Sequence, residues 1–125
     1  MKQNIELKGF LNRKVIEFFG LEKGEVYIGE QNILHMKSDH YSDYDKYFVY
    51  ISEIISSPDY IGKNPRNDSL ELVKEFFCEE TKNYVKIAIR ISQKGTLFVR
   101  TLYTLNSSKF EFQVLKGSYK KVQNL

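Results

Sequence analysis

YVKIAIRISQKGTLFVRTLYTL, residues 84–105, reads as two strands joined by a short turn. Val85, Ile87, Ile89 and Ile91 alternate with Lys86, Ala88 and Arg90, the two-residue period of a strand with one face on a core. Gln93 to Gly95 supplies the turn, and Thr96 to Leu105 returns as the second strand. LELVKEFF, residues 70–77, precedes them as a further strand, so the second half of the chain is an antiparallel meander.

Before the meander, DYIGKNPRNDS (residues 59–69) clusters Gly, Pro, Asn and Asp and reads as turn chemistry dividing a helical half from a strand half. In the helical half, Leu11, Val15, Phe18 and Phe19 recur at helical spacing ahead of Gly20, which predicts a helix over residues 9–19. EVYI (25–28) is a short strand, and 33–40 a short helix. Tyr44, Tyr47, Phe48, Ile51, Ile54 and Ile55 form one stripe, predicting a helix over 43–57 that Ser42 or Asp43 caps and Pro58 ends. The tail, 116–125, carries three lysines and is either mobile or a final edge strand. The order gives a single α+β domain over 1–125, with N-terminal helices packed on one face of a twisted antiparallel sheet and the other face open to a ligand.

The composition suits a soluble globular domain: 125 residues, 42% hydrophobic and 28% charged, with nine Tyr, nine Phe and no Trp. A lone Cys78 excludes an intramolecular disulfide and a multi-cysteine zinc site; its apolar surroundings predict a buried, inert thiol and a reducing compartment. MKQNIELKGF (1–10) has no long apolar run, so neither a secretory signal nor a membrane span is expected there, and the expected location is the cytoplasm. A net charge of +3 permits a polyanionic partner without demanding one.

Both histidines of the chain fall in ILHMKSDHYSDYDKYF (33–48). On a continuous helix Lys37 and His40 share a face, whereas His35 pairs with Asp39, so the two imidazoles diverge and no metal is expected. A lysine beside a histidine suits metal-free acid–base chemistry on a developing anion. The plainer reading, a polar helix junction, is the commoner fate of such residues, and the acidic SDYD (42–45) reads as a helix cap. In VRTLYTL (99–105), unbroken alternation puts Val99, Thr101, Tyr103 and Leu105 on one face and Arg100 on the other, so a Thr–Tyr pair interrupts an apolar stripe. Thr and Tyr are also ordinary strand formers.

Lys37-x-x-His40 beside a helix, IISSPDYIG (54–62) after a longer helix, and Thr101-x-Tyr103 in a meander together resemble the superfamily that groups barnase, EndoU, colicin D and RelE. The likeness runs from Val26 to Leu105 and points to its phage-associated branch and to anticodon-cleaving toxin domains. The resemblance implies a metal-independent endoribonuclease without a cofactor, toxin-like and acting on RNA such as tRNA, that leaves a 2′,3′-cyclic phosphate. It makes His40 the general base or acid, Lys37 the phosphate-stabilising cation, and Thr101 and Tyr103 the holders of the phosphate. His35 is a further candidate, since related enzymes use two histidines. Arg100, Arg90, Lys63 and Arg66 would grip the RNA backbone, an immunity or inhibitor protein would restrain the activity, and no membrane is involved. The other reading it leaves open is an inactive RNA- or protein-binding accessory protein of a phage or mobile element.

Overall fold

The computed structural model describes residues 4–125 and contains a seven-stranded sheet in the order β1-β2-β6-β5-β4-β3-β7. The strands are β1 (Ile5–Phe10), β2 (Glu25–Gly29), β3 (Tyr60–Lys63), β4 (Leu70–Cys78), β5 (Thr81–Ile91), β6 (Leu97–Leu105) and β7 (Tyr119–Lys121). The helices are α1 (Arg13–Phe19), α2 (Glu30–Asp39), α3 (Tyr41–Tyr47), α4 (Ile51–Ser56) and α5 (Ser107–Leu115). The α+β class holds, with two differences from the expected layering. The sheet is mixed, because β2 and β6 run parallel through Val26↔Leu97 and Tyr27↔Phe98. Helices also occupy both faces, since α5 lies opposite α1–α4.

The main core forms where Val85, Ile87 and Ile89 of β5 and Leu97, Val99 and Leu102 of β6 meet Val15, Met36, Ile51, Ile54 and Ile55 from the helices. On the opposite face Tyr60, Val73, Tyr84 and Tyr119 pack around the buried ring of Phe110 from α5. Among the described residues no helix is long and apolar enough to cross a membrane. The expected burial of Cys78 falls on a side chain outside the described ones.

Several boundaries differ from the sequence pattern for identifiable reasons. The helix expected from residue 9 begins at Arg13, because Asn12 caps it by accepting the Val15 N–H at 3.0 Å and β1 uses the residues before it. Gly20 ends it as expected, in the left-handed conformation at φ 66°. The helix expected over 43–57 is broken by a 3₁₀ turn at Phe48–Tyr50: α3 packs against α2 and β6, whereas α4 packs against β1 and β4. Asp43 is not a cap. Its carboxylate accepts from the Thr104 backbone N–H at 3.0 Å and the Thr104 hydroxyl at 2.7 Å, holding α3 to the edge of β6. Within the expected turn at 59–69, Tyr60–Lys63 is strand β3, and the tail adds an edge strand, β7, rather than hanging loose.

Strand β6 carries a bulge. Ile89 pairs with Val99 and Ala88 with Thr101, so Arg100 is an extra residue without an opposite number. The alternation flips there: Val99 and Leu102 face the main core, while Thr101 and Tyr103 face the other side. Thr101 and Tyr103 therefore do not share a face with Val99, and the interrupted stripe read from the sequence is an artefact of counting through the bulge.

Gly62 of β3 lies beneath the Tyr119 ring. A Cβ there would stand 2.8 Å from the Ser118 carbonyl oxygen and 2.9 Å from the ring. We expect Gly62→Ala to cost about 1–3 kcal/mol, as overpacking does, seen as a lower guanidinium midpoint; an unchanged midpoint would mean that β7 does not close on β3 this way.

Candidate active site

The register of the sheet sets two rows across its α5 face. One runs Tyr119–Gly62–Glu71–Ala88–Thr101, the next Lys121–Tyr60–Val73–Lys86–Tyr103. Alternation along β4 and β5 thus brings Glu71 and Lys86, which are 5% and 7% exposed, to adjoining positions in the middle of the sheet. The Lys86 ammonium lies 3.0 Å from Glu71 Oε2. Asn64 Nδ2 donates to the same oxygen at 3.3 Å, and the Tyr119 hydroxyl donates to Oε1. A buried carboxylate with three donors, one of them charged, is well satisfied.

Burial alone would lower the basicity of Lys86, but its hydrogen bond with Tyr103 and the adjacent Glu71 carboxylate outweigh that and raise its pKa. It is a firm cation. Burial pushes the Tyr119 hydroxyl far up, reinforced by the bond to Glu71 and that group's charge. Tyr60 is pushed up to about 12 by burial and by Glu75, which accepts its hydroxyl, and Tyr84 to about 12 by burial and by Glu111.

The next feature comes from the edge of β6. Because β2 pairs with β6 only as far as Phe98, the strand beyond it lies open to α2 and α3, and their junction folds around the edge. His40 sits at that junction, outside helical geometry at φ −140°, ψ 48°, and its ring stacks on Tyr103 with centroids 5.1 Å apart and planes at 23°. The Lys86 ammonium reaches the same ring from the neighbouring strand, 4.8 Å from its centroid. Tyr103 is therefore held from two sides, by an imidazole and by a cation.

Of the residues singled out in the sequence, His40 and Tyr103 are brought into contact, and Thr101 lies on the same face one row away. The Thr101 Oγ1 is buried without a hydrogen-bond partner. Lys37 lies in the last turn of α2, which His40 terminates, and its ammonium lies over the Tyr44 ring at 5.5 Å. His35 bonds to Asp39 at 3.2 Å on the exposed side of α2 and is not drawn to Tyr103 by any contact. Arg100 donates to Ser69 Oγ at 3.3 Å, Arg90 lies 4.6 Å from the Phe98 ring centre, and Lys63 and Arg66 are exposed between β3 and β4. Among the described residues no group of three or more His, Cys, Asp or Glu is placed to hold a metal ion.

Sequence reasoning missed Glu71, Lys86 and Tyr119: alternation put Lys86 opposite the core residues of its strand but gave it no partner. The signal was present: opposite charges on two neighbouring central strands, both on the face away from the core. Beside them opens a cavity of about 370 Å³ between the sheet, α5 and the loop after β3.

A protein-family model described as phage-Barnase-EndoU-ColicinE5/D-RelE like nuclease3 matches residues 6–111. No curated protein and no solved structure matches the chain.

Removing Glu71 alone strands the buried Lys86 cation. Glu71→Ala should cost about 3–5 kcal/mol, and in a double-mutant cycle with Lys86→Met the losses should fall well short of additive; additive losses would mean that the two groups do not interact. A second expectation concerns alkali. Tyr60 and Tyr84 titrate near 12 in the fold against 10.0 when unperturbed, so their neutral forms are favoured by folding. Their contribution is complete below pH 10 and is lost as pH rises through about 12. Denaturant midpoints followed across that window should fall, and Tyr60→Phe with Tyr84→Phe should flatten the fall.

Proposed function

Because the chain belongs to the phage-Barnase-EndoU-ColicinE5/D-RelE like nuclease family, we propose that it is a metal-independent endoribonuclease whose reacting centre is Tyr103. The observation that carries the reading is the juxtaposition of His40, Tyr103 and Lys86 on the open part of the sheet.

In this mechanism the His40 imidazole takes the proton of a ribose 2′-hydroxyl, and the resulting oxygen attacks the adjacent phosphorus. The bond to the 5′-oxygen breaks, and that oxygen receives its proton from the Tyr103 hydroxyl, whose ring lies against the Lys86 ammonium. Lys86 counters the charge that builds on the phosphorane, with the Thr101 hydroxyl as a further donor. Lys86 takes the role that the resemblance gives to Lys37, which is left as an exposed cation on the approach. The products are a 2′,3′-cyclic phosphate and a 5′-hydroxyl, so RNA and not DNA is the substrate. Exposed Arg66, Lys63, Arg90 and Arg100 are the proposed backbone contacts. A tRNA target, a toxin role in the cytoplasm and an inhibitory partner protein belong to the same proposal.

One observation favours binding without cleavage: among the described residues nothing hydrogen-bonds the His40 ring to fix its tautomer.

The test is incubation of the purified protein with total tRNA in EDTA beside the His40→Ala, Tyr103→Phe and Lys86→Met variants. Each substitution should slow cleavage by about a hundredfold or more, the worth of a general acid or base, with cyclic-phosphate ends on the products. Intact RNA with the unaltered protein, together with retained RNA binding, would turn the assignment to the inactive accessory protein.

A further inference from the structure

The cavity beside Tyr103 shares Tyr103, Lys86 and Lys63 with the mechanism above and extends beyond them. Its floor is Glu71, Lys86 and Tyr119, Tyr103 stands at its side, and its rim carries Lys63 and Lys109. Neither rim ammonium has a partner among the described residues, and both are exposed. Three lysines therefore face a single carboxylate in the lining, so the cavity attracts an anion. Its floor is also rich in donors: Glu71 is already engaged by three donors, whereas Lys86 and Asn64 keep N–H groups beyond those bonds.

Charge alone would suit bare phosphate, but the volume and lining ask for more. About 370 Å³ falls within the roughly 300–1,000 Å³ of small-molecule sites. Leu105 and the Tyr119 ring give flat apolar walls, and the Gln113 amide on α5 has no partner of its own. Flat walls, amide groups and rim cations are what a nucleobase with its sugar phosphate requires.

We propose that this cavity is the subsite for one nucleotide flanking the cleaved bond, with the base inside and its phosphate between Lys63 and Lys109. The proposal rests on the ribonuclease reading and adds to it where the neighbouring nucleotide lies. By seating that nucleotide next to Tyr103, the cavity fixes the position of the scissile phosphate and gives the enzyme a place to discriminate between bases.

The experiment is calorimetric titration in EDTA with the four nucleoside 3′-monophosphates and, separately, inorganic phosphate, alongside steady-state cleavage of a short oligoribonucleotide. Because the rim residues are exposed, Lys63→Glu with Lys109→Glu should leave the unfolding midpoint unchanged. The double variant should weaken mononucleotide binding about tenfold or more and raise KM with kcat preserved. Lys94→Glu, in the β5–β6 turn at the other end of the hairpin, should change neither. If RNA is cleaved but no mononucleotide binds and KM is indifferent to the rim charges, the subsite is wrong and the nuclease stands. If mononucleotides bind and the double variant weakens them while RNA stays intact, the subsite stands and the nuclease reading falls. Inorganic phosphate binding as tightly as the mononucleotides would overturn the subsite, because the base would then contribute nothing.

Discussion

Strand β6 holds one residue more than β5 can match, and the placement of the groups around Tyr103 follows from where that residue sits. Before Arg100 the strand sends Leu97 and Val99 into the main core; after it Leu102 takes over that duty, and Thr101 and Tyr103 turn to the α5 face. Were the bulge absent, Tyr103 would enter the hydrocarbon of the helix layer, and Lys86 would lose the ring it lies against. The same shift sets Thr104 toward α3, where Asp43 receives both of its donors. One inserted residue therefore orients the aromatic ring and provides the anchor that brings the His40 segment to it.

The buried Glu71–Lys86 pair depends on that geometry. Two charges taken out of water recover little unless the remaining hydrogen-bonding capacity is filled. Here Asn64 and Tyr119 fill it on the carboxylate side, and the Tyr103 ring lies against the ammonium. Hydrophobic residues at those positions could pack at least as well, but they could not hold a cation at a fixed point against Tyr103. In the proposed ribonuclease such a fixed cation would serve the phosphorane, since its position is set before any anion arrives.

Much of the architecture was legible because it rests on periodicity. The alternation in β4 and β5 and the stripe from Tyr44 to Ile55 appear in the fold as strands and core-facing helices. The α+β class could be read from the order of helical and strand segments, and the family from Lys37-x-x-His40, residues 54–62 and Thr101-x-Tyr103. What escaped was non-local. β1 pairs with β2, and β3 is completed by β7, so neither shows a pattern of its own strong enough to outweigh neighbouring helix or turn signals. α5 buries one large side chain, Phe110, and exposes Phe112 and Leu115, which leaves no clean stripe to read. At the site, Tyr103 was found and its partners were not. Lys86 and Glu71 look like solvated strand charges until Gly62 admits the Tyr119 ring over them.

Glu71 collects its donors from positions 64, 86 and 119, the last contributed by the edge strand β7. On the ribosome, residues are added in that order, so a growing chain can lay down β4, β5 and β6 well before Tyr119 exists. Until then the central acid lacks its third donor, and the face beneath α5 lacks one of its four tyrosine and valine neighbours of Phe110. The completed floor thus waits on β7, an edge strand made after β4, β5 and β6, so the charged centre of the sheet is closed by the last strand to be added.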